Sequence, residues 1–335
     1  MYYFCTYFDQ NYLQRGLALY HSLQEHCPAF KLWVLCMDNT TFEILEKLHL
    51  PDLHPISLEE FERNDELLLG AKQNRSRIEY YFTCTPSLPL YILNGWPEVN
   101  FITYLDADLF FFSNPSPLFE EIGGGSIAIV GHRFPERLKH LESYGIYNVG
   151  WLSFRNDKTG LECLNWWRNL CLEWCYDRVE ENRFADQKYL DRFPERYGND
   201  IILQHKGANV APWNIENYIL NKKETTVYVD DQPLLFFHFQ GFKQVILSVY
   251  DWGLLIYGTK MSQALFDYIY LPYIRTLQKP LLNKVNMKMK TIRNSTGRKI
   301  IITSQKTFAE RWHRFLQGIL SGRYSLIIKG RVISI

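Results

Sequence analysis

The sequence predicts an α/β fold in which a mostly parallel sheet is flanked by helices, followed by a helical, basic C-terminal extension. Three observations predict it. Short apolar runs alternate with amphipathic stretches, giving the strand, helix, strand, helix order of parallel βαβ units. The 335 residues are 47% hydrophobic and 16% aromatic, enough for a sizeable core. Charge is uneven under a formal net charge of +1. Residues 275–335 hold 14 Lys and Arg against the single acid Glu310, a balance of +13. Residues 1–274 hold 23 basic and 35 acidic residues, a balance of −12. An acidic body with a basic tail points to an anionic partner for the tail.

The elements follow in order. Residues 2–7 form a first strand, 9–11 a loop, and 16–26 a helix with Leu17, Tyr20 and Leu23 at helical spacing. Residues 31–37 form a second strand ending at Asp38, and 41–48 a helix. Residues 57–69 are acidic and helical. A long helix over 76–93 is kinked by Pro86 and Pro89. Residues 101–105 form a strand, 114–117 a turn, 118–121 a short helix, and 126–130 and 147–154 two further strands. Residues 161–179 form an amphipathic helix with Leu164, Trp167, Cys171 and Trp174 on one face. A shorter helix covers 184–193, and strands cover 227–229 and 234–239. The character then changes to aromatic and basic helices, which sets the expected division at 1–257 and 258–335.

Some classes are excluded. No run of 18 apolar residues is present, so no helix spans a membrane. There is no long internal repeat or low-complexity tract. The seven cysteines are odd in number, and no secretory signal precedes the first strand, so reduced thiols in a cytoplasmic setting are expected. Cys163, Cys171 and Cys175 have a zinc reading, but buried free thiols fit their apolar surroundings better.

The chemistry concentrates at Asp106-Ala107-Asp108, where two carboxylates end an apolar run. Buried acids are costly unless they are paired or bound to a metal. The end of a strand is also where α/β sheets bind ligands. At this spacing both acids can reach one divalent cation, directly or through water. Mg²⁺ and Mn²⁺ favour such oxygen ligands and keep positions open for phosphate. The same triplet also suits a solvated turn or a helix cap.

Five further groups accompany it. Thr6, Tyr7, Asp9, Asn11 and Tyr12 follow the first strand, where a base and ribose can lie, although Asp9 or Asn11 would equally cap a helix. No Gly-x-Gly-x-x-Gly or Walker loop is present. Arg75 and Arg77 offer guanidinium forks to phosphate, or form a solvated basic helix start. Asn148 and Gly150 permit close backbone approach and an amide bond to a sugar hydroxyl. Asp186 and Gln187 stand at a helix start, where a carboxylate also caps. His238, Gly241 and Lys243 follow an aromatic strand, and Trp213 and Asn214 are expected to line the same cleft.

In this order and spacing, the segments resemble the GT-A nucleotide-diphospho-sugar glycosyltransferases, most closely those of glycosyltransferase family 8, over residues 2–243. The resemblance implies a GT-A, Rossmann-like fold and transfer of a glycosyl group from a nucleotide diphosphate sugar, by default a UDP-sugar, to an acceptor hydroxyl. It implies Mn²⁺ or Mg²⁺ held by Asp106, Asp108 and His238, and it favours retention of configuration. Asp186 or Gln187 is the expected catalytic group. Thr6, Tyr7, Asp9, Asn11, Tyr12, Arg75, Arg77, Asp106, Ala107, Asn148, Gly150, Trp213, Asn214, Gly241 and Lys243 would contact the nucleotide or sugar. Lys243 departs from the family pattern by standing two residues after Gly241 rather than three.

Two alternatives stand beside this reading. A nucleotidyltransferase of similar fold would need a Gly-rich basic loop where Phe8-Asp9-Gln10-Asn11 stands. A non-catalytic glycan-binding protein would use the aromatics as stacking platforms. In the tail, Phe308, Trp312, Phe315, Leu316 and Ile319 share a helical face flanked by Arg311, His313 and Arg314. That pattern fits an anionic membrane surface, placing the protein peripherally at the inner face and its acceptor on a lipid-linked or envelope glycan. It equally fits a helix packed on the acidic body. No nucleic-acid partner is expected, since no recognition motif accompanies the charge.

Overall fold

The computed structural model describes residues 1–246, 249–279 and 282, and the backbone of 324–328 and 331–334. Strand β1 (Tyr2–Phe8) leads to helix α1 (Leu13–His26), β2 (Phe30–Cys36), α2 (Asn39–Leu48) and β3 (Leu53–Ser57). The chain then runs through α3 (Leu58–Glu62), α4 (Glu66–Gln73), α5 (Arg77–Cys84) and α6 (Ser87–Gly95) to β4 (Phe101–Leu105) and β5 (Leu109–Phe111). After α7 (Ser116–Ile122), β6 (Ile127–Gly131), β7 (Tyr147–Arg155) and α8 (Lys158–Glu173), strand β8 (Ile202–Leu203) completes the main sheet.

The sheet has seven strands in the order β3-β2-β1-β4-β7-β6-β8. Only β7 runs antiparallel to its neighbours, β4 and β6. Helices cover both faces, so strands such as β2 are buried throughout and read as continuous apolar runs rather than alternating ones. The chain steps outward from β1 to β2 to β3 and then returns to the other side of β1 as β4, pairing Phe4 with Thr103 and Cys5 with Tyr104. The strand order therefore reverses between β1 and β4. The loops leaving their C-terminal ends diverge, which opens a crevice at that point.

Several boundaries differ from the sequence pattern for local reasons. The acidic stretch over 57–69 is two helices, because Asp65 caps the second by accepting from Leu68 N at 3.0 Å. The stretch over 76–93 is also two helices. Ser76 and Glu79 form a reciprocal capping box at the start of α5. Pro86 caps α6, and Pro89 falls in its first turn, where no helical N–H bond is lost. Strand β3 is hidden in the sequence by His54 and Pro55, and Pro is tolerated there because β3 is an edge strand. Helix α8 ends at Glu173 and the chain is extended at Trp174, so Cys171 and Cys175 do not share a helix. The helix expected over 184–193 is a 3₁₀ turn, Lys188–Arg192, running into a short α-helix, Phe193–Tyr197.

The described residues 258–277 do not separate from the body. A helix running from Gln263 to Leu277 buries Leu265, Phe266, Tyr270, Tyr273 and Ile274 in the same core as Phe4, Phe110 and Phe239. Tyr273 stacks on Phe239 with ring centroids 3.8 Å apart. The extension is also not wholly helical. Strands Tyr324–Ile328 and Arg331–Ser334 extend the hairpin of Lys243–Ile246 and Val249–Asp251 into a four-stranded sheet. The amphipathic helix expected at 308–319 lies outside the described residues.

Two glycines allow one close approach. Gly241 has φ +75° and Gly253 φ +73°, and a Cβ on Gly253 would meet the Gln240 carbonyl oxygen at 2.3 Å. Gly253→Ala should therefore destabilise by about 2 kcal/mol or more, read as a lower urea midpoint. Gly70→Ala, in α4 with nothing within 4 Å, should stabilise by up to about 1 kcal/mol, read as a higher midpoint.

Candidate active site

The end of β4 delivers Asp106, and a turn closed by Leu109 N donating to Asp106 O at 3.1 Å leads into β5. Strand β5 pairs antiparallel with Phe236–His238, which sets His238 opposite Leu109. Oxygen and nitrogen atoms of Asp106, Asp108 and His238 thereby lie within 4.8 Å of one another. His238 Nε2 is 3.1 Å from Asp108 Oδ1 and 3.7 Å from Asp106 Oδ2, yet it is buried and makes no aligned hydrogen bond. A buried ring nitrogen facing two carboxylates has the geometry of a cation site.

The imidazole tautomer is fixed from behind. Gly150 N donates to Asn148 Oδ1 at 3.0 Å, so that oxygen faces His238 Nδ1 at 3.3 Å and receives its proton. The Asn148 amino group then faces two acceptors, His132 Nε2 at 3.2 Å and Gln187 Oε1 at 3.3 Å. His132 Nδ1 in turn donates to Ile146 O at 3.3 Å. Each group in the chain has one consistent role, and together they hold a proton on His238 Nδ1 and leave Nε2 as the nitrogen turned toward the acids. Gly150 is required for this. A Cβ there would meet Asn148 Oδ1 at 2.5 Å and His238 Nδ1 at 3.0 Å.

Burial shapes the electrostatics. Asp106 is pushed up to about 6 by desolvation; His238 and the Tyr104 hydroxyl, 2.9 Å from Asp106 Oδ1, pull the other way. Burial also pushes Asp108 upward, but the His238 charge outweighs it and holds the group below its ordinary range. For His238, burial opposes charging, but Asp108 and Asp106 raise its pKa on balance. Desolvation lowers His132 to about 3, so it stays a neutral acceptor for Asn148. Asp186 is pushed up to about 7, mainly by burial and further by Asp106.

Two cavities meet at this triad. One, of about 420 Å³, lies at the β1/β4 crevice and is lined by Tyr7, Asp9, Asn11, Tyr12, Arg77, Tyr81, Ala107 and Asp108. Its walls are aromatic: the rings of Tyr7 and Tyr81 lie 6.2 Å apart, and Arg15 stacks on Tyr12 at 4.3 Å. The other, of about 500 Å³, is lined by Asn148, Asp186, Gln187, Trp213 and His238. Tyr7, Phe82, Asp106 and Gln240 line both.

Other expected residues have different places. Thr6 is buried within the sheet. Arg75 is buried away from both cavities, bonded to Tyr176 OH at 2.5 Å and to the carbonyl oxygens of Leu172 and Glu173. Asn214 is fully buried and shapes its loop, donating to the His132 and Asn209 carbonyls. Lys243 pairs with Asp251 at 3.7 Å and lines neither cavity. Gly241 supports Gln240 from the adjacent turn. All seven cysteines are free and buried, and the only triad of metal-ligating side chains among the described residues is Asp106, Asp108 and His238. Sequence reasoning missed Tyr104, Tyr81, His132 and Gln240. Tyr104 and Gln240 lay inside motifs already singled out, whereas His132 carried no local signal.

No protein-family model matches the chain. Bacillus subtilis (strain 168) YfnD, an uncharacterized protein, is 33% identical over 281 residues, 83% of this chain and 89% of YfnD. YfnF of the same strain, also uncharacterized, is 32% identical over 298 residues, 86% of this chain and 94% of YfnF. Among solved structures, galactosyltransferase LgtC, in complex with donor and acceptor sugar analogs, superposes with a TM-score of 0.51 at 17% identity. The match covers 71% of this chain and 87% of LgtC. The fold is thus GT-A, a seven-stranded mostly parallel sheet flanked by helices.

A cation must displace protons from this site. The affinity of the free protein for Mn²⁺ should therefore fall about tenfold per pH unit below pH 6, as Asp106 becomes protonated. Asn148→Leu removes the tautomer lock and should weaken Mn²⁺ binding about 10- to 100-fold at pH 7.5. Calorimetric titration of wild type and variant across pH checks both.

Proposed function

The chain belongs to the family of Bacillus subtilis YfnD and YfnF, and from that premise and the GT-A fold we propose that it is a metal-dependent glycosyltransferase. It moves a sugar from a nucleotide diphosphate donor, by default a UDP-sugar, to an acceptor hydroxyl. One observation carries the reading: the buried, unpartnered Nε2 of His238 faces Asp106 and Asp108 where the two cavities join. The donor set, two carboxylates and one imidazole, fits Mn²⁺ better than Mg²⁺, which prefers oxygen alone. The bound cation would offset charge on the departing diphosphate.

The residues divide the remaining work. Tyr7 and Tyr81 offer aromatic faces to the base. Asp9 is held by Asn11 N and Nδ2, both at 2.8 Å, with an oxygen turned toward Tyr81. That pair offers a polar edge to base or ribose. Arg77, largely exposed at the mouth of the crevice, adds positive charge beside the phosphates. The donor sugar extends past Asp106 toward Asp186 and Gln187. As the glycosidic bond weakens, positive charge grows at the anomeric carbon, and the Asp186 carboxylate or the Gln187 amide oxygen stabilises it. The resemblance to family 8 favours retention. Seven buried free thiols support a reducing cytoplasmic setting, and no described helix is long and apolar enough to cross a membrane.

The test is a donor screen with UDP-, GDP-, CMP- and dTDP-sugars, Mn²⁺ or Mg²⁺, and Asp108→Ala as control. Release of UDP is expected only with metal, and the variant should lose more than about a hundredfold in rate. No release from any donor, with no nucleotide-induced thermal shift, would leave the glycan-binding reading in its place. The basic segment 308–319 is proposed as a contact with anionic lipid, bringing the enzyme to an envelope or lipid-linked glycan. Replacing Arg311 and Arg314 by Glu should cut cosedimentation with anionic vesicles by roughly tenfold or more. Equal binding would assign the segment to the protein body.

A further inference from the structure

The second cavity carries information about the acceptor. This rests on the glycosyltransferase reading, because it takes the space beyond Asp186 and Gln187 as the place where the acceptor meets the donor sugar. Among the described residues, no Lys or Arg lines the cavity. Its charged side chains are acids: Asp106, Asp186, and the exposed Asp177. Its histidines are committed elsewhere, His238 to the triad and His132, neutral, to Asn148. With a cation balancing the triad, an anionic acceptor would still face Asp177 and Asp186 with no Lys or Arg beside them among the described residues, which costs binding at short range.

The mouth is apolar and aromatic. Phe134, Leu141 and Tyr144, with Phe184 and with Ile256 and Tyr257, supply its apolar lining, and Phe134, Leu141 and Tyr257 pack on one cluster with Trp213. These come from three separate chain segments. Tyr144 and Phe184 form an edge-to-face pair with ring centroids 4.9 Å apart. Ile256 is 65% exposed and its neighbour Leu255 50%, an unusual concentration of apolar surface beside a polar site. Beside them, Gln187 and Gln240 supply amides and Asp177 supplies acceptor oxygens suited to neutral hydroxyls. Apolar walls with a few convergent polar groups and no cation match the C–H face and hydroxyl rim of a pyranose ring.

We propose that this cavity takes a neutral pyranoside acceptor, with an apolar group or further sugar ring at its reducing end resting on Ile256 and Tyr257, and that it rejects anionic acceptors. Phosphate-bearing or uronic acid units of a natural acceptor would then sit outside the mouth.

The test uses full-length protein with Mn²⁺ and the donor found by the screen. The probes are a panel of octyl and p-nitrophenyl pyranosides, the free pyranoses, and their 6-phosphates and uronic acids. Neutral octyl or aryl pyranosides should act at a KM at least about tenfold below the free sugars, and the anionic probes should not act. Ile256→Lys, at an exposed position, should raise the KM of the octyl and aryl acceptors several-fold and give the 6-phosphates measurable turnover. Preference for an anionic probe, equal KM for free and octyl sugars, or failure of every neutral pyranoside while metal-dependent release of nucleotide to water persists would each overturn the proposal. In all three cases the donor site would stand, because nucleotide release reports it separately.

Discussion

The short antiparallel ribbon between β5 and Phe236–His238 is the constraint on which the site depends. It carries a histidine from far along the chain to the two acids that end β4. Three residue pairs are few, and two-stranded ribbons are marginal alone. This one is held on every side. Phe236 stacks on Trp151 with centroids 5.4 Å apart, which ties it to β7. His238 N donates to Val210 O at 2.8 Å, and Phe239 N donates to Asp108 O at 2.9 Å, so the backbone is fastened before and after the acids. Gly150 O accepts from Asp106 N at 3.1 Å, which ties β7 to the acid turn as well. The triad therefore sits on one strand residue and a tight turn pinned between strands, the arrangement that holds ligand positions closely.

That rigidity has an electrostatic cost. Two carboxylates are kept together in a low-dielectric setting, where each raises the energy of the other. The protein offsets part of this with the Tyr104 hydroxyl and with His238, and it stops there, leaving Nε2 without an aligned partner. The Asn148 and His132 chain behind the imidazole ensures that the proton sits on the far nitrogen. The expense of building the chain is intelligible if a cation completes the charge balance.

Much of this was legible in the sequence, and the boundary of legibility is physical. The paired acids announce themselves because apolar flanks and adjacent charges are local features. The order of strands and helices is legible for the same reason. What the sequence hides are long-range partners. Arg75 looks like a phosphate ligand until Tyr176 and two carbonyls from the end of α8 are found to hold it. Asn148 looks like a sugar ligand, but its amide is occupied by His238, His132, Gln187 and Gly150, groups brought together only by the fold. His132 has no motif around it, and its role follows from β6 and β7 lying side by side. Strand β3 was obscured by a proline that only an edge position tolerates.

The two cavities also differ in a way that gives the site a direction. The crevice at β1 and β4 carries aromatic walls, the acids Asp9, Asp106 and Asp108, and one cation, Arg77. The cavity beyond the triad carries three acids and no cation among the described residues. A nucleotide diphosphate sugar is anionic at its centre, aromatic at one end and neutral at the other. Placed with its base in the crevice, it meets charge of the right sign at the phosphates and leaves the neutral sugar beside Asp186. Reversed, it would bring the phosphates toward Asp177 and Asp186 with nothing to neutralise them. On the proposed reading, the presence of Arg77 at one cavity and of no Lys or Arg at the other, among the described residues, bears on donor orientation and acceptor choice together.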